Sequence, residues 1–341
     1  MDYQAIWKDY IVDLQSYLGT ADFVDYAVTS GTETIYTGRA YKDAAGGCKV
    51  RLNELCADYL SNPVLFESEG WNGTDLGRAF AVVVGTATAA EVTFIDDWSY
   101  DYGRASRSAD LSPASAPIDG KIDPRQWFLF STYNGGVLSC RVRHSRGDFS
   151  SDFNDDFTVG AYERYTSGEF EDLYGNWYFE PGEFVPGDDV QMSGKGETPV
   201  NYTVVEPCAR YALYYRNAFG GWDSFLVGGN AKQTDGYERT TMRLDYDNRT
   251  RTARGRRDIV NAVTRSFTLV SGWLTDAQAA RMHHLLGSVE VYLDDLADGD
   301  TAPMPVVLTN SECVHKTYRG NGNALVNYTI TAELAQDMQR R

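Results

Sequence analysis

Short runs in which apolar and polar residues alternate recur along most of the chain, and they constrain its fold more than any other feature. Examples are "DFVDYAV", "ETIYTGRAY" and "VEVYLDD", and turn-forming residues separate most runs from the next. A period of two places one set of side chains on the inner face of a sheet. Aromatic residues, which suit a pleated and half-buried surface, make up 13% of the sequence. The sequence therefore predicts a mainly β protein built from β-sandwich domains.

Changes in this pattern divide the 341 residues into three predicted segments. Residues 1–73 combine a β-hairpin with a short helix whose predicted N-cap is Asn53. Residues 74–199 are rich in turn signals and are predicted to form a middle β-sandwich-like domain. Residues 200–341 are predicted to form a C-terminal β domain with one flanking α-helix over residues 276–287.

Hairpins are predicted wherever two alternating runs flank a turn signal. The predicted pairs are "DFVDYAV" with "ETIYTGRAY", "QWFLFST" with "GGVLSCRVRH", and "RYALYYRN" with "WDSFLVGG". The stretch "AFAVVVGTATAAEVTFIDDWSYDY" is predicted to form two strands with a connection of small residues. The helix of the C-terminal segment has a predicted capping box in Thr275 and Gln278, and Gly287 is its predicted end. On this helix, His283 is expected to be half-buried and His284 to face solvent.

The charge balance limits which partners the chain can have. The sequence holds 31 basic and 48 acidic residues, a net charge of −17, which repels DNA and anionic membranes at long range.

Its N-terminus lacks the features of a signal peptide, and no run of apolar residues is long enough to span a bilayer. The five cysteines follow no metal or disulfide pattern, so reduced thiols and synthesis in a cytosol are expected.

The sequence offers no recognisable catalytic or metal-binding motif. It contains no G-x-S-x-G, H-E-x-x-H, P-loop or G-x-G-x-x-G pattern. Acidic pairs such as Asp188–Asp189 and Asp294–Asp295 could in principle serve a glycosidase, but in so acidic a chain solvated loops are the expected reading. We therefore predict no catalytic residue, no metal site and no cofactor.

Five arginines form a basic cluster within this acidic chain: Arg249, Arg251, Arg254, Arg256 and Arg257. One interpretation is phosphate binding, but there is no flanking stacking platform and the net charge opposes it. The favoured interpretation is a hairpin edge on which arginine hinders random strand pairing and meets an acidic patch of a neighbouring copy. The cluster is thus a candidate subunit interface, and stable nucleic-acid binding is not expected.

The stretch "YYRNAFGGWDSFLVGGN" contains a tryptophan, Trp222, that could lie either on the surface or in the core. Trp222 next to two glycines could be an exposed ligand-binding residue. However, the stretch fits a strand, a turn over residues 217–221 and a second strand, in which Trp222, Ser224 and Leu226 share one face. Trp222 is therefore interpreted as a packing or subunit-contact residue.

The middle segment supports an alternative function. Its stretch "EFEDLYGNWYFEPGEF" is both aromatic and acidic, as many sugar-binding surfaces are. Trp177 and Tyr178 are the candidate glycan contacts. On this alternative the chain is a carbohydrate-binding or carbohydrate-cleaving β protein.

Four blocks of sequence resemble a group of tail-associated structural proteins of phages and prophages of Bacteroidetes. They are "IWKDYIVDL … IYTGRAY … VRLNELCADYL", "VTFIDDWSYDY … IDPRQ", "YYRNAFGGWDSFLV … YERTTM" and "LVSGWLTDAQAARMHHLLGSVEVYLDD … PVVLTNSECVHKTYRGNGNALVNYTITAEL". The resemblance covers most of the chain. The order of elements in the last segment is also similar to the tube-like domain of siphophage distal tail proteins.

The resemblance implies a structural, non-enzymatic protein of the virion tail, assembled in the cytoplasm of a bacterial host. It implies a homo-oligomeric, hexameric ring of the distal tail or baseplate-hub type, through which DNA passes, with neighbouring tail tube and baseplate proteins as partners. An acidic lumen would lower the adhesion of passing DNA. The tail position and the copy number are left open by the sequence.

Overall fold

The computed structural model describes residues 3–60, 74–75, 77–95, 98, 115–132, 139–143, 162–166, 175–179, 181–182, 184–193, 198–243, 256–297, 302–310, 325–336 and 338–340. The fold is mainly β, as predicted, and the described strands form five sheets. No helix within these residues is long and apolar enough to cross a membrane.

The N-terminal unit is a five-stranded sheet of order β1-β8-β7-β3-β4, with a two-stranded sheet, β2-β5, beside it. The strands are β1 (Tyr3–Ala5), β2 (Ile11–Asp13), β3 (Phe23–Ser30), β4 (Glu33–Tyr41), β5 (Lys49–Arg51), β7 (Arg78–Val84) and β8 (Ala87–Ile95). The predicted β3–β4 hairpin is confirmed, and the two strands predicted around the connection of small residues pair as the hairpin β7–β8. Glycine lies at each turn, Gly31 with φ 58° and Gly85 with φ 62°, a left-handed backbone that favours glycine.

The sheet of the N-terminal unit extends beyond the boundary predicted at residue 73. Strands β7 and β8 belong to the segment predicted as the middle domain, yet β7 pairs with β3. Phe80 and Phe94 on these strands pack into the same core as Val28 and Leu52. The alternating pattern of β7 and β8 identifies strands but does not say which sheet receives them.

Short helices close the N-terminal core: α1 (Gln15–Leu18), α2 (Leu52–Cys56) and a 3-10 turn (Ala57–Tyr59). The prediction that Asn53 caps α2 is wrong, because the N-cap is Arg51 and Asn53 lies inside the helix. The Asn53 side chain is buried, and its Oδ1 accepts a hydrogen bond from the backbone N–H of Tyr10. Asn53 therefore fastens the chain segment before β2 to the helix.

The middle unit consists of two sheets packed face to face. One has the order β10-β13-β6 and the other β12-β11-β14-β15-β9. Their strands are β6 (Thr74–Asp75), β9 (Lys121–Ile122), β10 (Phe128–Thr132), β11 (Ser139–Arg143), β12 (Tyr162–Thr166), β13 (Gly175–Phe179), β14 (Asp189–Ser193) and β15 (Val200–Val204). Phe128 and Phe130 of one sheet share a core with Val190, Met192 and Tyr202 of the other. This unit has the predicted sandwich-like character.

The predicted hairpin between "QWFLFST" and "GGVLSCRVRH" is wrong. Both runs form strands, but β10 pairs with β13, and β11 pairs with β12 and β14 in the opposite sheet. The "YNGG" stretch between them lies outside the described residues. The chain therefore changes sheet here, which a local turn signal cannot reveal.

The C-terminal unit is an eight-stranded sheet of order β17-β16-β20-β21-β22-β19-β18, in which β23 also pairs with β19. Its strands are β16 (Tyr211–Arg216), β17 (Trp222–Leu226), β18 (Ala231–Arg243), β19 (Arg256–Val270), β20 (Val291–Asp295), β21 (Met304–Leu308), β22 (Thr329–Leu334) and β23 (Met338–Arg340). The predicted β16–β17 hairpin is confirmed, with Tyr214 opposite Ser224. Both faces of β17 are buried, because helices cover one face and the middle unit covers the other.

The predicted helix over residues 276–287 is two short helices, α3 (Asp276–Ala279) and α4 (Met282–Leu286). The capping box of Thr275 and Gln278 is confirmed, and the second helix ends at Gly287 as predicted. Met282 and Leu285 pack on the sheet.

The prediction that His284 faces solvent is wrong. His284 is 4% exposed, and its Nδ1 accepts a hydrogen bond of 3.1 Å from the backbone N–H of Ala218. His283 is half-buried, as predicted. The 217–221 turn lies against α4, so the side chain of His284 meets Ala218 and the ring of Phe219 instead of solvent.

Candidate functional site

A long polar hairpin at the edge of the C-terminal sheet is the most unusual surface of the described chain. It is formed by β18 and β19, which pair from Ala231 opposite Leu269 to Arg243 opposite Arg256. The 13 residues of β18 span roughly 40 Å at the usual rise of a strand. Beyond the stretch where β22 and β23 pair with β19, the described part of the hairpin has only its own two strands.

Strand β18 has no buried face. All its residues are exposed except the half-buried Asp235, and the exposed set includes Tyr237 at 58% and Met242 at 44%. A sheet strand ordinarily buries every second side chain in a core. The intrachain core therefore does not explain why this strand is so long, and a surface of this kind is suited to contact with another chain.

The two margins of the C-terminal sheet differ sharply. At one margin β17 is covered by the middle unit, to which it is joined by hydrogen bonds from Trp222 N to Ser131 Oγ and from Gln126 Nε2 to Ser224 Oγ. At the other margin β18 pairs with β19 and with no further described strand. An unpaired edge presents a row of backbone donors and acceptors to any approaching strand.

Basic side chains concentrate at the far end of the hairpin. Arg243 and Arg256 are directly opposite each other and both are exposed. Like charges across a ladder repel one another, so this end favours an acidic counterpart from outside. Of the predicted arginine cluster, Arg256 and Arg257 lie on β19, where the backbone of Arg257 pairs with Met242. Arg249, Arg251 and Arg254 lie outside the described residues.

Trp222 does not belong to this surface. Its side chain is 0% exposed and packs in a cluster with Leu129, Tyr214 and Leu226. The structure therefore places Trp222 as a packing residue within the chain, and a subunit contact through its ring is not possible in this fold. The predicted alternation also holds, since Phe225 joins the core on the opposite face.

The candidate glycan contacts are only partly placed. Trp177 and Tyr178 lie on β13, where their backbones pair with Phe130 and Leu129. Their side chains lie outside what the structure describes. The strand itself is an inner element of the three-stranded sheet, between β10 and β6.

Sequence reasoning missed several buried carboxylates, of which Asp123, Asp223 and Asp294 lie where the middle and C-terminal units meet. Asp188 and Asp294, which were expected to be solvated, are 1% and 7% exposed, and Asp123 and Asp223 are buried as well. Burial raises the pKa of Asp294 to about 6, although a hydrogen bond of 2.8 Å from Tyr214 partly opposes this. A short sequence window does not reveal the burial of Asp223 and Asp294, because Ala116 and Tyr214, which bond to them, lie far away in the sequence.

The described residues contain no group of three or more His, Cys, Asp or Glu side chains that could hold a metal ion. Cys48 and Cys56 are buried free thiols, and Cys208 is an exposed one. Burial raises the pKa of Cys56 to about 12, so this thiol is protonated at neutral pH.

Comparison with known proteins gives no relative: no family model, no curated protein and no solved structure matches this chain.

Proposed function

We propose that this chain is a structural protein of a phage or prophage tail, of the distal tail or baseplate-hub type, whose copies assemble into a ring through which DNA passes. The observation that supports this most is the long β18–β19 hairpin, whose outer strand β18 is exposed on both faces and open at its edge. A monomer gains little from such an element, whereas a ring of copies can bury it.

The arrangement of the sheet also suits a ring. A ring of more than two copies needs head-to-tail contacts, in which one surface of a copy meets a different surface of the next copy. The open β18 margin with Arg239, Arg243 and Arg256 is one such surface, and the acidic remainder of a chain with net charge −17 supplies complementary ones. The same negative charge lowers the adhesion of DNA passing through the ring.

The test is the assembly state of the full chain with two charges reversed on the hairpin. We expect the wild-type protein to form rings in negative-stain images and a multiple of 38.0 kDa by light scattering. Arg239→Glu with Arg243→Glu should shift the protein to monomers, because both side chains are exposed and contribute nothing to a core. Raising the salt concentration should weaken the wild-type rings in the same direction.

The matched control is Lys42→Glu with Lys49→Glu, which makes the same change in net charge on exposed residues of the N-terminal unit. This variant should assemble like the wild type. A wild-type protein that stays monomeric at high concentration and forms no rings would refute the proposal, as would equal disruption by both pairs of reversals.

Carbohydrate binding is a second proposal, supported by a groove on the outer face of the N-terminal sheet. The groove has a volume of about 650 Å³ and is lined by Asp25, Thr37, Arg39, Tyr41, Val83 and Gly85, among others. Tyr41 is 65% exposed, and Arg39 Nε donates a hydrogen bond of 2.8 Å to Asp25 Oδ1. An exposed ring beside paired polar groups is a suitable surface for a sugar ring and its hydroxyls.

A glycan array and a reducing-sugar assay test this second function. Tyr41→Ala should lower the affinity for a bound glycan about tenfold, which corresponds to losing about 1.4 kcal/mol of binding free energy. Tyr17→Ala, also an exposed tyrosine but outside the groove, is the control. If Trp177→Ala abolishes binding and Tyr41→Ala has no effect, the glycan site is on the middle unit instead.

A further inference from the structure

Asp223 is a fully buried carboxylate at the point where the middle and C-terminal units meet. It is the second residue of β17 and is 1% exposed. Its Oδ2 accepts hydrogen bonds from Asn217 Nδ2 at 2.6 Å and from the backbone N–H of Ala116 at 2.9 Å. One carboxylate oxygen therefore joins the 217–221 turn to the segment 115–120, which leads into β9.

The other oxygen, Oδ1, makes no well-formed hydrogen bond in the described structure, and the same is true of two tyrosine hydroxyls near it. These hydroxyls belong to Tyr202 on β15 and Tyr215 on β16, and the charge of Asp223 raises the pKa of both beyond the effect of burial. The Ser115 side chain lies within looser hydrogen-bonding reach of the same carboxylate and of the Tyr202 hydroxyl, and it lowers the pKa of both. Buried polar groups are almost always paired, so the weakly paired Oδ1 and the unpaired Tyr215 hydroxyl need an explanation.

No cation among the described residues forms an ion pair with Asp223. Arg281, between α3 and α4, favours the ionised carboxylate only from a distance, and its Nη1 donates to the carbonyl of Pro117 at 2.8 Å. Asp119 adds a second negative charge that acts on Tyr215. Burial is therefore the dominant influence, and it raises the pKa of Asp223 to about 7 despite the hydrogen bonds from Asn217 and Ala116.

We infer that Asp223 is a proton-linked latch that fastens segment 115–120, and with it the middle unit, to the C-terminal sheet. A protonated carboxyl group places no net charge in the interior, while its Oδ2 still accepts from Asn217 and Ala116. An ionised carboxylate leaves an unpaired charge there, which favours loosening of the segment and entry of water. The inference goes beyond ring assembly and does not depend on it.

A cleft provides the route for water. It has a volume of about 580 Å³ and is lined by Ser115, Asp119, Asn201, Phe219, Gln278 and Arg281, among others. Segment 115–120 forms one wall, so its loosening would widen the cleft toward Asp223.

The direction of the pH dependence follows from the raised pKa. An unfolded aspartate has a pKa of about 3.9, so the folded state binds the proton more tightly than the unfolded state does. The contribution of this proton to stability is fully present below about pH 4 and is lost as the pH rises through about 7. Between these values the unfolding equilibrium constant should rise about tenfold per pH unit.

The experiment compares the full-length wild type with Asp223→Asn by urea unfolding between about pH 5 and about pH 8. The ratio of the wild-type to the variant unfolding constant should rise with pH, by about tenfold per unit below the folded pKa. Amide hydrogen exchange of segment 115–120, corrected for intrinsic rates, should quicken with pH in the wild type only. Asp189→Asn, an exposed aspartate on β14, should behave as the wild type does.

Parallel pH profiles for the wild type and Asp223→Asn would overturn the latch. If the variant does not fold, the infrared carboxylic-acid band of labelled aspartate decides the question. Asp294 also has a raised pKa, so the band is recorded in the Asp294→Asn protein. A buried band that is lost near pH 7 in this protein supports the latch, and the absence of any protonated aspartate above about pH 6 overturns it.

Discussion

Replacing Trp222 with alanine should lower the free energy of unfolding by about 3–5 kcal/mol, the range for deleting a large buried aromatic side chain. The ring is 0% exposed and touches the cluster of Leu129, Tyr214 and Leu226, with the Tyr292 ring at 5.9 Å. Its removal leaves a cavity between the C-terminal sheet and the middle unit, and the closely packed side chains around it cannot move far enough to fill the cavity. Urea unfolding followed by far-ultraviolet circular dichroism measures the loss.

Trp273→Ala is the matched control, because this tryptophan is 66% exposed. Its removal should change stability by no more than about 0.5 kcal/mol. A loss of less than about 1 kcal/mol for Trp222→Ala would contradict the buried position and would reopen the alternative of a contact between subunits.

The period of a sequence pattern predicts a strand and its faces because both are local properties. Residues 222–227 illustrate this: Trp222 and Leu226 enter one core, and Phe225 and Val227 enter the other. The two N-terminal hairpins could be predicted for the same reason, because a tight turn with glycine makes the two flanking strands pair with each other. The class of fold and the locations of many strands could therefore be predicted.

The partner of a strand is not a local property when the chain leaves the sheet. Strand β10 pairs with β13 across more than forty intervening positions, and β7 joins β3 across a long stretch of chain. An alternating run fits any sheet with a matching inner face, so the sequence does not decide among them. This explains both the misassigned hairpin and the N-terminal boundary placed too early.

The candidate surfaces were predictable only in part. The arginines after residue 248 predicted a basic hairpin, and Arg256 and Arg257 do lie on one. The carboxylates at the unit junction were missed, because a buried acid depends on donors that distant segments supply. Asp223, for example, is held by Asn217 from the adjacent turn and by Ala116, more than a hundred residues earlier.

Arg125→Ala should be the most damaging loss of a charged side chain at this junction, lowering the free energy of unfolding by roughly 2–4 kcal/mol. Arg125 Nε and Nη2 donate to the two oxygens of Asp123 at 2.8 and 2.7 Å, and Asp123 is fully buried. Nη2 also donates to the carbonyl of Ala209, and Nη1 to that of Leu296. Its removal leaves the buried Asp123 carboxylate without a positively charged partner. The expected loss of stability is kept at roughly 2–4 kcal/mol because the Arg125 side chain is 36% exposed, so water can solvate part of the carboxylate in its place.

Arg125→Lys separates charge from geometry. A lysine keeps the positive charge but cannot bind both carboxylate oxygens and two carbonyls at once, so it should recover only part of the loss. Arg210→Ala removes the arginine of an exposed pair with Asp295 in the same unit and should cost far less. If Arg125→Ala and Arg210→Ala prove equally mild in urea unfolding, the fixed arrangement of the two units does not depend on the buried Asp123, and other contacts across the junction must hold them together.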